Sequence, residues 1–182
     1  MGHFSTPTPL KRFFDRTVRR SFGDLEIHDD KAAGYLSDLL TRFARAENLY
    51  PLSVTGTRLE SVSEHLLEIQ RVWEFDTPHF NPVRERELRR QIGDYTLFMT
   101  GLFREHVEGM SVTGYYVREG KRAYRFVSEH DRASTRPEAR LFWTLADRFE
   151  GFAGALTYMR KAYFRPELAP PHPFFSRLIT EW

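Results

Sequence analysis

Four runs of apolar residues recur along this chain at alternating three- and four-residue spacing. The last is the longest: Phe142, Leu145, Phe149, Phe152, Leu156, Met159 and Tyr163. A helix turning about 100° per residue gathers all seven onto one narrow stripe. Leu59, Val62, Leu66, Ile69 and Trp73 form a second stripe, and Leu88, Ile92, Tyr95, Met99 and Leu102 a third. Tyr116, Gly120, Ala123 and Val127 form a fourth. An isolated amphipathic helix cannot bury its stripe, so four of them predict an all-α fold: a single-domain bundle of about six helices. Its core comes from the four long, heptad-patterned ones.

The chain's 182 residues suit one domain with a substantial core. With 16 phenylalanines, that core should be built on large rings. Basic and acidic residues nearly cancel, 27 against 25, which argues against a whole-surface nucleic-acid footprint but leaves room for a local one. The absence of cysteine excludes disulfides, thiolate metal sites and cysteine nucleophiles. No run approaches the roughly 18 to 20 apolar residues that span a bilayer, and the proline-bearing N-terminus has no signal-peptide core. The expected compartment is the cytoplasm.

Start and stop signals divide the chain. Residues 1–8 read as a flexible N-terminus, 9–165 as the bundle, and 166–182 as a proline-rich spacer with a C-terminal anchor segment. A first helix spans 9–22. Asp29 or Asp30 caps a second that runs to Asn48. Thr57-Arg58-Leu59-Glu60 reads as a capping box opening a third, which runs to Phe75. Asn81-Pro82 starts a fourth that continues to Glu108. A fifth covers 111–132. A sixth opens at Thr135-Arg136-Pro137-Glu138 and runs unbroken to Phe164, where prolines forbid continuation. No internal repeat is present.

Carboxylate-bridged metal centres in bundles need Glu-x-x-His on two helices, with further glutamates facing inward. The chain contains no Glu-x-x-His. Helical angles place Glu64 and Glu68 on the far side from Leu66 and Ile69, and set Asp147 and Glu150 well off the long stripe. Glu85, Glu87, Asp94 and Glu105 flank or oppose the third stripe, so no carboxylate is expected in the core. His106 and His130 extend two of the apolar stripes and are the candidate ligands for haem, a metal or a small molecule. About 15 residues of helix at 1.5 Å each set them more than 20 Å apart, against a shared site. A helix-terminal histidine bonded to last-turn carbonyls is the simpler reading. His130-Asp131 lacks the further histidine and aspartate of a phosphohydrolase site. No phosphate loop, nucleophile elbow or His-Glu-x-x-His occurs. The expectation is a protein without cofactor, metal or catalytic residues, which weighs against an enzyme without deciding the question.

Both ends carry binding candidates. Arg12, Arg16, Arg19 and Arg20 cluster opposite Leu10, Phe14, Val18 and Phe22, a basic face suited to an anionic membrane or to nucleic-acid phosphates. Phe175, Leu178, Ile179 and Trp182 share one helical face after the prolines. Left in water they make an unusual patch, so they should fold back or dock on a partner. The reading that follows is a non-enzymatic adaptor or scaffold acting through its terminal amphipathic segments, with a protein partner or a second copy. A ligand- or haem-binding bundle is one alternative; binding to nucleic acid or an anionic membrane through the N-terminal helix is the other.

Overall fold

The computed structural model describes residues 8–175 apart from 54, 166, 168, 169 and 171. Every regular element among them is helical; the one β-bridge, Leu52 with Arg58, is isolated. Nine helices are described: α1 (Pro9–Asp24), α2 (Asp30–Phe43), α3 (Ala46–Leu49), α4 (Val62–Arg71), α5 (Arg84–Leu102), α6 (Arg104–Gly109), α7 (Thr113–Ala133), α8 (Ala139–Asp147) and α9 (Phe149–Tyr163). None is long and apolar enough to cross a membrane.

Several starts follow the sequence signals. Thr8 accepts from the Lys11 N–H at 3.2 Å with proline at the first helical position, and Asp29 accepts from the Ala32 N–H at 2.9 Å. These side chains satisfy amide groups that a helix start otherwise leaves unpaired. The capping box sits four residues later than the sequence reading places it. Ser61 and Glu64 form it, because Thr57 is held in a loop in which Ser53 N–H donates to its carbonyl at 2.7 Å. With α4 thus delayed, its buried residues are Val62, His65, Glu68 and Ile69, and Trp73 falls beyond its end and is exposed.

Two helices expected to be continuous are each broken. The run from Asn81 divides at Phe103, and the run ending at Phe164 divides at Arg148, with (φ, ψ) of −115°, 37° and −105°, 25°. The end of α5 is stabilised from α9: the Thr157 hydroxyl donates to Gly101 O at 2.7 Å, and Arg160 to Leu102 O at 2.8 Å. Those bonds take up last-turn carbonyls that would otherwise lack partners. The apolar stripe survives the second break, with Phe142, Leu145, Phe149, Phe152, Leu156 and Met159 all buried.

Helix α5 occupies the middle, packed against α2, α4, α7 and α9. Leu88, Ile92 and Tyr95 join Val62, Ile69, Tyr116 and Ala123 in one apolar cluster. Leu97, Phe98 and Leu102 join α1, α2, α8 and α9 in a larger one. Every residue from Gln91 to Phe98 is buried. Because this stretch of α5 is enclosed, its faces away from the stripe are interior as well.

Candidate functional site

That enclosure overturns the expectation that no carboxylate reaches the core. Asp94, Glu68 and Asp131 are fully buried, and Glu85 and Glu119 nearly so. A buried carboxylate survives only where donors replace its water shell. Asp94 has three. Tyr35 and Tyr124 donate their hydroxyls to Oδ1 at 2.6 and 2.8 Å, and Arg42 donates to Oδ2 at 2.9 Å. One side chain on α5 thereby ties α2 to α7. Burial and the neighbouring negative charge push both tyrosines well above the ordinary phenol range, so each remains a donor. The acceptor positions are taken by the protein's own groups, which makes Asp94 a structural cross-link.

The other buried acids are engaged in the same way. Arg86 grips Asp131 with two bonds of 2.6 Å, the bidentate fork that guanidinium makes with carboxylate. Burial raises the Asp131 carboxyl, but Arg86 outweighs that and holds it below the usual carboxylate range. Glu68 lies 3.4 Å from Arg84 and 3.7 Å from Arg71. Glu85 accepts from the Trp73 indole at 2.7 Å and from Arg89 at 2.8 Å.

The histidines fall differently from the sequence ranking. His106 is half-buried on α6, where its carbonyl accepts from the Met110 N–H. His130 lies in the last turn of α7, its ring stacked on Phe126 and Nδ1 3.5 Å from Asp131. Among the described residues the most deeply buried histidine is His65, which the apolar-stripe argument passes over. Its Nδ1 is 2.8 Å from Ser61 O, which fixes the proton there, and Nε2 has no hydrogen-bond partner. Burial holds its pKa below the ordinary 6.5. Among the described residues, no group of three or more His, Asp or Glu side chains is placed to hold a metal ion.

Arg19, Arg20 and Phe175 of the predicted terminal sites have partners within the chain. Arg12, Arg16, Arg19 and Arg20 are all exposed on α1. Arg19 bridges Asp15 and Asp30 at 3.2 and 3.0 Å, and Arg20 lies over the Tyr163 ring. Phe175 is buried against Phe13, Phe14 and Phe164, so this anchor residue packs within the chain. Leu178, Ile179 and Trp182 lie outside the described residues, as do residues 1–7 of the expected flexible N-terminus.

Two surface features were not singled out by the sequence. The connection between α4 and α5 presents Trp73, Phe75, Phe80 and Val83 to solvent, with Phe75 70% and Val83 84% exposed. Its backbone is held in place: Asn81 N–H donates to Val72 O at 2.8 Å, Thr77 Oγ1 to Glu74 O at 2.9 Å, and Arg84 N–H to Asn81 O at 3.1 Å. The Phe75 and Phe80 rings lie 4.8 Å apart on this ridge. The second feature is an open groove of about 810 Å³ along the outer face of α7. Comparison with protein-family models, curated protein sequences and solved structures gives no match, so the functional reading rests on these surfaces.

Proposed function

We propose that the protein is a non-enzymatic helical-bundle interaction module that engages another protein surface through the aromatic ridge between α4 and α5. The observation that carries this reading is the ridge itself. Four large apolar side chains stand in water on a connection whose backbone bonds hold it in one shape. Exposed apolar clusters of that kind mark interaction surfaces, and rigid aromatic anchors supply most of the energy of a protein interface. Trp73 is oriented by its bond to Glu85. Asp94, Asp131 and Glu85 support the non-enzymatic half of the reading, since tyrosine, tryptophan and arginine donors occupy them.

Phe175 is covered within the chain and Leu178, Ile179 and Trp182 lie outside the described residues, so this reading takes the internal connection as the interaction surface. The test is a photo-crosslinking amino acid placed at Val83 in the native host, with the same group at exposed Asp147 as the control. A discrete adduct at Val83 alone supports the reading, and its mass distinguishes a second copy from a different protein. F75S/F80S combined with the Val83 probe should abolish the adduct. No adduct, or equal adducts at both positions, overturns the proposal.

A further inference from the structure

The groove on α7 combines three properties. Arg118, Lys121, Arg122 and Arg125 all line it, at i, i+3, i+4 and i+7 of one helix. Like charges at three- and four-residue spacing destabilise a helix by about 0.2 to 0.5 kcal/mol per pair, so a merely solvated face would favour alternating signs. Here four cations are consecutive along the face. Arg89 of α5 adds a fifth, against two lining carboxylates, Glu129 and Glu150.

Local pairing leaves much of that charge unspent. Arg118 and Arg122 share the single carboxylate of Glu119, at 3.4 and 3.6 Å, and both are mostly exposed. Lys121 pairs with Glu150 at 2.9 Å. Arg125 is exposed and makes no ion pair among the described residues. The aromatic rings beside the groove are covered by guanidinium planes: Arg89 lies 4.7 Å from the centroid of Phe126, and Arg118 5.6 Å from that of Tyr115. Arg89 already donates Nε and Nη2 to Glu85, at 3.0 and 2.8 Å, so the charge left for an added anion is that of α7.

From this juxtaposition we propose that the outer face of α7 binds the phosphate backbone of a single nucleic-acid strand, without reading its bases. The cations from Arg118 to Arg125 span about 10 Å at 1.5 Å per residue, a linear array suited to successive phosphates along one strand. Phosphate contacts position a strand and carry no sequence information. This surface is distinct from the aromatic ridge, and it stands or falls independently of the function proposed above.

The test is fluorescence anisotropy with a labelled 20-nucleotide oligothymidine from 50 to 300 mM KCl. Three to four phosphate contacts predict a slope of log K against log salt of about −2 to −3, at roughly 0.7 per contact on single strands. A mixed-sequence strand of equal length should bind within a few-fold. K121E/R125E, which leaves Arg118 and Arg122 on the buried Glu119, should lose at least tenfold in affinity while keeping its circular dichroism and melting temperature. R125A alone, which breaks no ion pair, should flatten the slope by about 0.7. R12E/R16E on α1 should bind as the wild type does. Several results overturn the proposal: no wild-type binding at 50 mM salt, unchanged affinity in K121E/R125E, equal loss in the α1 variant, or binding to phosphatidylserine vesicles but not to the strand.

Discussion

The inner and outer faces of α7 are both charged, and they use charge in opposite ways. Inside, Tyr124 and Asp131 meet Asp94 and Arg86 of α5 in bonds of 2.6 to 2.8 Å. Outside, Arg118 and Arg122 must share one glutamate and Arg125 has none. A buried charge is stable only when its partners are complete, so the inner set is closed and serves the fold. An exposed pair such as Lys121 with Glu150 is worth little and can exchange its partner for another anion, so this part of the outer set is open. Paired interior charge therefore serves the fold on this helix, and the exterior charge is the part left for the binding proposed above.

The largest expected effect comes from opening the closed set. Asp94→Ala leaves the Tyr124 hydroxyl and Arg42 without their acceptor and should cost about 3 to 5 kcal/mol, the range for breaking a buried ionic network. Urea unfolding measures this. A loss below about 1 kcal/mol would mean that the inner face tolerates open charge as the outer face does.

A smaller contrast uses glycine on the two sides. A Cβ at Gly93 would stand 2.6 Å from ring atoms of Tyr124, which is fully buried and bonded to Asp94 and so cannot move aside. Gly93→Ala should destabilise by about 1 to 3 kcal/mol. Gly114, at the start of α7 in the groove, has open space around its Cα. There the same substitution should stabilise by roughly 0.5 to 1 kcal/mol, because alanine loses less entropy in a helix. Matching signs at the two glycines would erase the distinction between the faces.

The subtlest effect is a pH dependence at His65. Burial keeps its folded pKa below the unfolded 6.5, so the unfolded chain takes up the proton first as pH falls. Stability is full above about pH 6.5 and declines as pH drops through that value toward the lower folded pKa. Unfolding between pH 5 and 8 should show that decline in the wild type and less of it in His65→Leu. Parallel profiles would assign the decline to other groups.

Much of the architecture is legible in the sequence because helix periodicity and start signals are local. Asp29, Pro9 and the stripe from Phe142 to Met159 all behave as their spacing implies. The capping box slipped by four residues because Thr57 was drawn into a loop by Ser53, a contact that competes with helix formation and leaves no mark in the motif. The breaks at Phe103 and Arg148 have no proline or glycine at the break, and the first depends on donors from α9, a tertiary cause. Asp94 was misplaced for a different reason. One apolar stripe defines the interior of a surface helix, whereas α5 has neighbours on every side. The signal that could have exposed this is the run of small and hydroxyl residues within it, Gly93, Thr96, Thr100 and Gly101, poor helix formers that close packing explains. The cationic face of α7 was readable throughout at i, i+3, i+4 and i+7.

The most direct test of the division between the two faces takes Asp94→Asn and K121E/R125E through the same pair of assays, thermal unfolding and oligothymidine anisotropy. The account predicts a crossed result. Asp94→Asn should lower the melting temperature and, below that temperature, bind the strand as the wild type does; K121E/R125E should melt as the wild type and lose the strand. If both variants lose stability and binding together, or if Asp94→Asn loses binding while its melting temperature is unchanged, the division is contradicted.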